Sequence, residues 1–222
     1  MSDRVKLFTF ILGALAVLLV LNVGYSALQT ISRLNALEAE RDHWQRPSDV
    51  IEALDLVPGD GVVDLGCGSG YFTLKLSLFV GDNGRVFAED IRRLPLAFLW
   101  FRAVARHEHN VRIVVGEVSD PHLPERVNAV LISNTYHEFT DSRSILAHVY
   151  QSLVRQGRLV VIDRSPRLAR GAMSETAEHE ISSETVEGEL RLANFEIIRK
   201  EDSFISSDSY GESWWLIVAR KP

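Results

Sequence analysis

The sequence predicts an α/β fold: a doubly wound, mostly parallel seven-stranded sheet closed by a C-terminal antiparallel hairpin and preceded by an N-terminal transmembrane helix. Three observations carry it. Short, nearly continuous apolar runs alternate with helical patterns from residue 62 to residue 163, as strands buried on both faces require. A glycine turn in VVDLGCGSGYFT, residues 62–73, joins the first such run to a helix. Leu7 to Ser32 contains no charged residue.

The elements follow in order. Residues 1–6 form a tail carrying Arg4 and Lys6, and 7–26 are apolar over about the 20 residues that span a bilayer core. Leu28, Ile31, Leu34 and Leu37 recur at three-residue intervals, so 27–46 read as a helical linker that ends before Pro47. The globular domain is expected over 47–222, opening with a short helix that Pro58-Gly59 closes. Strand 62–65, helix 71–80, strand 85–90, helix 92–108, strand 110–116, strand 127–133, helix 141–155 and strand 158–163 come next. The helix at 92–108 is apolar on more than one stripe, through Leu94, Phe98, Leu99, Trp100, Phe101 and Val104. It is read as packed on the sheet and covered by the N-terminal helices, with a membrane-contacting face or a substrate wall as alternatives. A helix over 183–193 leads to the hairpin strands 195–205 and 213–221.

The glycine turn narrows the ligand. A dinucleotide fingerprint is G-x-G-x-x-G with a pyrophosphate at the helix N-terminus. Here Gly66, Gly68 and Gly70 give G-x-G-x-G, and Asp64 precedes them. That acid repels a pyrophosphate and suits an ammonium group held at the rim. The strand RVFAEDI (85–91) ends in Glu89 and Asp90, about 20 residues after the turn, where a carboxylate accepts ribose hydroxyls. An ammonium, a ribose and no pyrophosphate describe S-adenosyl-L-methionine.

With these residues in view, the chain from about 44 to 222 resembles the class I S-adenosylmethionine-dependent methyltransferases. The resemblance implies that Asp64, Gly66, Cys67, Gly68 and Gly70 shape the methionine side of a cofactor site, and that Asp90, with Ile91 beside it, holds the ribose. GEVSDPHLP (116–124) looks like the family's adenine loop, with Glu117 in place of the usual Asp, Val118 in place of the usual Ala, and Asp120 as a residue that could share the role. Strand 127–133 delivers Asn134 to the cofactor and His137 toward the transferable methyl group, where relatives carry N-x-x-H-H and this chain has Glu138 second. His137 is the candidate general base, histidine being the residue type whose free side chain changes charge near neutral pH; a structural hydrogen bond is its alternative role. His179, in the polar segment 164–182, is a second candidate, against capping or plain exposure. Asp163 and Arg164 could also face the acceptor. Cys67 has no basic neighbour in sequence and reads as a small residue suited to the turn. No metal site is expected.

Composition bounds the partners. Formal charge is −6 overall, and residues 47–222 hold 19 Lys/Arg against 26 Asp/Glu. An acidic region without a basic cluster disfavours nucleic acid and favours a small-molecule or lipid-like substrate or a protein side chain. The apolar start reads as a single-pass anchor with the catalytic domain in the cytoplasm, because S-adenosylmethionine is made and kept there. Export after cleavage near Gly24-Tyr25-Ser26 is the alternative. A cofactor-binding regulator or assembly factor without turnover is the rival to an enzyme.

Overall fold

A computed structural model describes residues 3–124, 126–166, 180–207 and 212–222. The chain divides into two compact units, Met1–His43 and Trp44–Pro222. The first is a single helix, α1 (Asp3–Trp44), with no break between the segments 7–26 and 27–46. Its stretch Phe10–Trp44 is long and apolar enough to cross a membrane by length and composition.

The second unit is built on a seven-stranded sheet. Its elements are α2 (Pro47–Ala53), β1 (Gly61–Leu65), α3 (Tyr71–Val80), β2 (Arg85–Asp90), α4 (Arg93–Ala105), β3 (Val111–Val115), β4 (Val127–Ser133), α5 (Ser142–Ser152), β5 (Leu153–Arg164), α6 (Ser183–Leu192), β6 (Glu196–Ser207) and β7 (Glu212–Arg220). Strand order is β3-β2-β1-β4-β5-β7-β6. β1 pairs in parallel with both β2 and β4, so the winding reverses there and a crevice opens at the carboxyl ends of those strands. β7 inserts antiparallel between β5 and β6, completing the expected hairpin.

Both sheet faces are covered, which is why the strands read as continuous apolar runs. One face packs on α2 and α3 through Val50, Leu54, Phe72 and Leu76, and continues under α4 through Leu96 and Leu99. The other packs on α5 and α6 through Ile145, Val149, Val186 and Leu190.

Two expectations differ from the fold. The helix expected over 141–155 ends at Ser152, and β5 begins at Leu153 rather than 158. The Lys221 ammonium donates to the carbonyls of Tyr150 and Leu153 at 2.7 and 2.6 Å, satisfying helix-end acceptors with a charge. The extra strand residues are absorbed by a register shift between Val127 and Ala129. Among the described residues of the Trp44–Pro222 unit, no element covers the outer face of α4: Leu94, Trp100, Phe101 and Val104 are exposed.

Candidate active site

The glycine turn leaves β1 at Leu65 and enters α3 at Tyr71. Asp64 is not at the rim. It is buried, and its carboxylate accepts the Thr73 hydroxyl at 2.6 Å, tying the first turn of α3 to the end of β1. The Cys67 N–H donates to the Glu89 carbonyl at 2.8 Å, which clips the turn to β2. Burial, followed by the charges of Asp64, Asp90 and Glu89, pushes the Cys67 thiol far up, so it is no nucleophile at neutral pH. Gly68 has φ +54°, and a Cβ added there meets nothing within 4 Å. The turn thus presents bare backbone to open space, a cradle that a flat ligand can fill.

Beside it lies a pocket walled by Gly66, Asp90, Ile91, Glu117 and Val118 from the expected set. Asp90 occupies the end of β2, but its carboxylate is already engaged. Oδ1 accepts the Arg92 N–H at 2.8 Å and Arg92 Nε at 3.2 Å, while Oδ2 accepts the Gly68 N–H at 3.0 Å and Arg92 Nη2 at 3.3 Å. Four donors match the lone-pair capacity of a carboxylate, so ribose hydroxyls must displace the guanidinium. The Arg92 side chain is 58% exposed and free to swing away from the buried acid. Ile91 and Val118 supply apolar walls of the kind a purine needs. Asp120 does not join them: its carboxylate accepts the His122 N–H at 2.8 Å and stands 3.7 Å from His148, with Pro121 on the pocket side instead.

Two lining residues, Phe139 and Ile145, have no signal in the local sequence. Thr135, Phe139 and Ile145 reach the pocket from the segment after β4 and from α5. Glu89 lines it too, accepting the Gly66 N–H at 3.3 Å. Burial is the main reason its carboxyl is pushed up to about 7, with Asp90 and Asp64 adding to the shift against the Gly66 N–H. The run of two acids at 89–90, at the end of β2, was the available clue.

His137 sits in a 3₁₀ turn, Tyr136–Glu138, just past β4. Its backbone N–H donates to Asp163 Oδ2 at 3.1 Å, and Nδ1 lies 2.8 Å from Asp163 Oδ1. Asp163, at the end of β5, is fully buried. An ionised carboxylate only accepts, so Nδ1 carries the proton and Nε2 is the basic nitrogen. The neighbouring Tyr136 hydroxyl donates to Glu189 at 2.5 Å, pinning the turn to α6. Asn134 is spent on structure: it adopts φ 55°, donates its N–H to Ile162 O at 2.8 Å, and accepts Arg164 Nε at 2.9 Å. Its side chain is outside the pocket wall. His179 lies outside the described residues.

Residues 62–157 match the family model described as a methyltransferase domain. The chain carries a class I S-adenosylmethionine-dependent methyltransferase domain. The methyltransferase domain resembles, at 31% identity over 157 residues, the ubiquinone/menaquinone biosynthesis C-methyltransferase UbiE of Haemophilus ducreyi, covering 66% of this chain and 58% of that one. A demethylmenaquinone methyltransferase of Geobacillus is 22% identical over 134 residues, covering 60% and 57%. Among solved structures, an S-adenosylmethionine-dependent methyltransferase from Aquifex aeolicus superposes with TM-score 0.72 at 21% identity, covering 86% of this chain and 98% of that one. The [4+2]-cyclase SpnF does so at 0.69 and 18%, covering 80% and 81%. The matches span about half the length of the curated relatives. S-adenosylmethionine is the family's cofactor, and the open backbone at Gly68, the buried acid at Asp90 and the apolar pair Ile91 and Val118 fit its three parts.

Proposed function

We propose that this chain is a methyltransferase for a small, lipophilic acceptor of the quinol class, working at a membrane to which α1 anchors it with the catalytic domain in the cytoplasm. The observation that carries the chemistry is the His137–Asp163 pair, just past β4 and at the end of β5. The His137 side chain is 3% exposed, and its Nε2 stands 3.9 Å from Glu138, a residue of the pocket wall. When bound, S-adenosylmethionine supplies a methyl group already activated by its sulfonium. What remains for the protein is alignment and removal of the acceptor's proton. Asp163 fixes the imidazole tautomer, and the acceptor hydroxyl proton passes to His137 Nε2, leaving an electron-rich ring carbon as nucleophile. Once that carbon carries the methyl group, its own hydrogen moves as a proton to the ring oxygen and restores the hydroquinone. Phe139 and Ile145 add apolar surface to the pocket that suits such a ring. The names of the relatives, quinone methyltransferases among them, support the acceptor class.

The test is calorimetry with S-adenosylmethionine on the full chain, followed by transfer assays on a panel of isoprenoid hydroquinones. Binding together with methylation of a quinol is expected; absence of binding at millimolar cofactor sinks the proposal. One observation favours a second reading, a cofactor-binding regulator without turnover: Arg92 occupies the carboxylate that ribose would use. Binding with no transfer to any acceptor would select it.

A further inference from the structure

The helix α4 has two faces that do unlike things. Its inner face holds the cofactor turn: Leu99 is buried where a Cβ at Gly70 (φ +89°) would strike it, and Arg102, also buried, donates to the Ser69 carbonyl at 2.6 Å. Its outer face is apolar and exposed. Leu94, Ala97, Trp100, Phe101 and Val104 follow one another at helical spacing, and Leu94 is 70% exposed, Trp100 58% and Val104 53%. A stripe of this size on a soluble surface marks a contact.

The charges around the stripe indicate what it contacts. Of the four arginines in residues 92–106, Arg102 is buried on the inner face and Arg92 pairs with Asp90. The surface charge beside the stripe is therefore that of Arg93 and Arg106, with no acidic residue among residues 92–106. Arg93 lies exposed on the stripe itself and Arg106 is exposed at its carboxyl end. Basic ends around Trp, Phe and Leu suit an anionic lipid surface, with the apolar face at the headgroup–acyl boundary and the guanidinium groups among phosphates. The pocket wall carries two further exposed apolar residues, Ile91 and Val118, at 51% and 58%.

We propose that the outer face of α4 rests on an anionic bilayer and holds the mouth of the cofactor pocket at the membrane surface. This contact belongs to the globular domain itself and is separate from any anchoring by α1. A lipid-soluble acceptor then reaches the pocket along Leu94, Ile91 and Val118 without crossing water. Because the inner face of the same helix carries the Gly70 turn, lipid contact also braces the cofactor loop.

The four tryptophans make the contact measurable. Trp214 and Trp215 are buried and Trp44 is half-buried, so Trp100 is the exposed one. The full chain is reconstituted in vesicles of phosphatidylcholine and phosphatidylglycerol, with part of the acyl chains brominated, and tryptophan emission is recorded. Bromine should quench wild-type emission, and Trp100→Phe should remove most of that quenching while flotation shows the variant still on the vesicles. Vesicles of phosphatidylcholine alone should give the weaker signal. Equal quenching in wild type and Trp100→Phe, or none in either, overturns the proposal. A Trp100 signal that follows protein density rather than bromine overturns it too, and assigns the stripe to a second copy. Methyl transfer by a chain that shows no Trp100 quenching sinks this inference alone and leaves the methyltransferase reading standing.

Discussion

Asp90 and Arg92 sit two residues apart, yet they act in opposition on the cofactor. The carboxylate is buried and the guanidinium largely exposed, so their pairing is weaker than the geometry implies. Arg92→Ala should tighten S-adenosylmethionine binding by a few-fold, roughly 1 kcal/mol, by freeing the acid for ribose. Asp90→Ala should weaken it by tenfold or more; titration calorimetry reads both. Glu89 brings a pH dependence. Its folded pKa, about 7, stands above the ordinary carboxylate value, so the folded state binds the extra proton. That contribution to stability is complete below the unfolded pKa and is lost as pH rises through about 7, amounting to roughly 3 kcal/mol. Glu89→Gln should flatten the fall in melting temperature between pH 5 and 8 (about the span between the two pKa values). Cofactor affinity should move the other way, rising with pH in the wild type as the carboxylate ionises near a cationic ligand. His137→Ala should leave cofactor affinity unchanged while slowing transfer by roughly 10²–10⁴-fold, the range of general-base catalysis. Asp163→Asn should slow transfer and shift the pH profile, because an amide can present the wrong partner to Nδ1. Equal loss of cofactor binding in both variants would refute the division between binding and proton transfer.

Elements differ in how far the sequence reveals them, for physical reasons. The glycine turn was legible because its conformation is set locally, by three glycines and one acid within seven residues. The strands were legible because burial on both faces leaves them apolar throughout. The start of α6 falls at Ser183 as expected, and Ser182 caps it by accepting the Thr185 N–H at 3.2 Å. Ser182→Ala should cost about 1 kcal/mol in denaturant unfolding, the usual worth of an N-cap. The end of α5 was not legible, since Lys221, nearly 70 residues away, satisfies its last carbonyls. Asp64 was misjudged as a rim group because nothing in its own segment announces the hydroxyl of Thr73. Phe139 and Ile145 on the pocket's far wall escaped notice for the same reason: they are brought there by sheet order, not by neighbours in sequence. His137 was found as a type of residue at a strand end, but its orientation by buried Asp163 required the β4–β5 pairing.

At the scale of the molecule, the boundary of the globular domain is set by three residues that the expected start at Pro47 leaves out. Every buried apolar residue of the three core clusters lies between Val50 and Ala219, which makes the domain's interior its own. Trp44, however, packs on that core with its ring 5.9 Å from Trp214. Gln45 is fully buried, and Arg46 donates to the Phe204 carbonyl at 2.7 Å while lying 4.3 Å from the Phe204 ring. Arg46 also pairs with Asp49 in the first turn of α2. A chain beginning at His43 should therefore keep the melting temperature and cofactor affinity of the full-length protein. A chain beginning at Pro47 loses an aromatic contact, a buried side chain and a long-range hydrogen bond together, roughly 2–3 kcal/mol. For a domain of this size that corresponds to a fall of roughly 5–10 °C, readable by calorimetry. Identical melting of the two truncated chains would mean that Trp44, Gln45 and Arg46 merely lie against the domain and do not hold it.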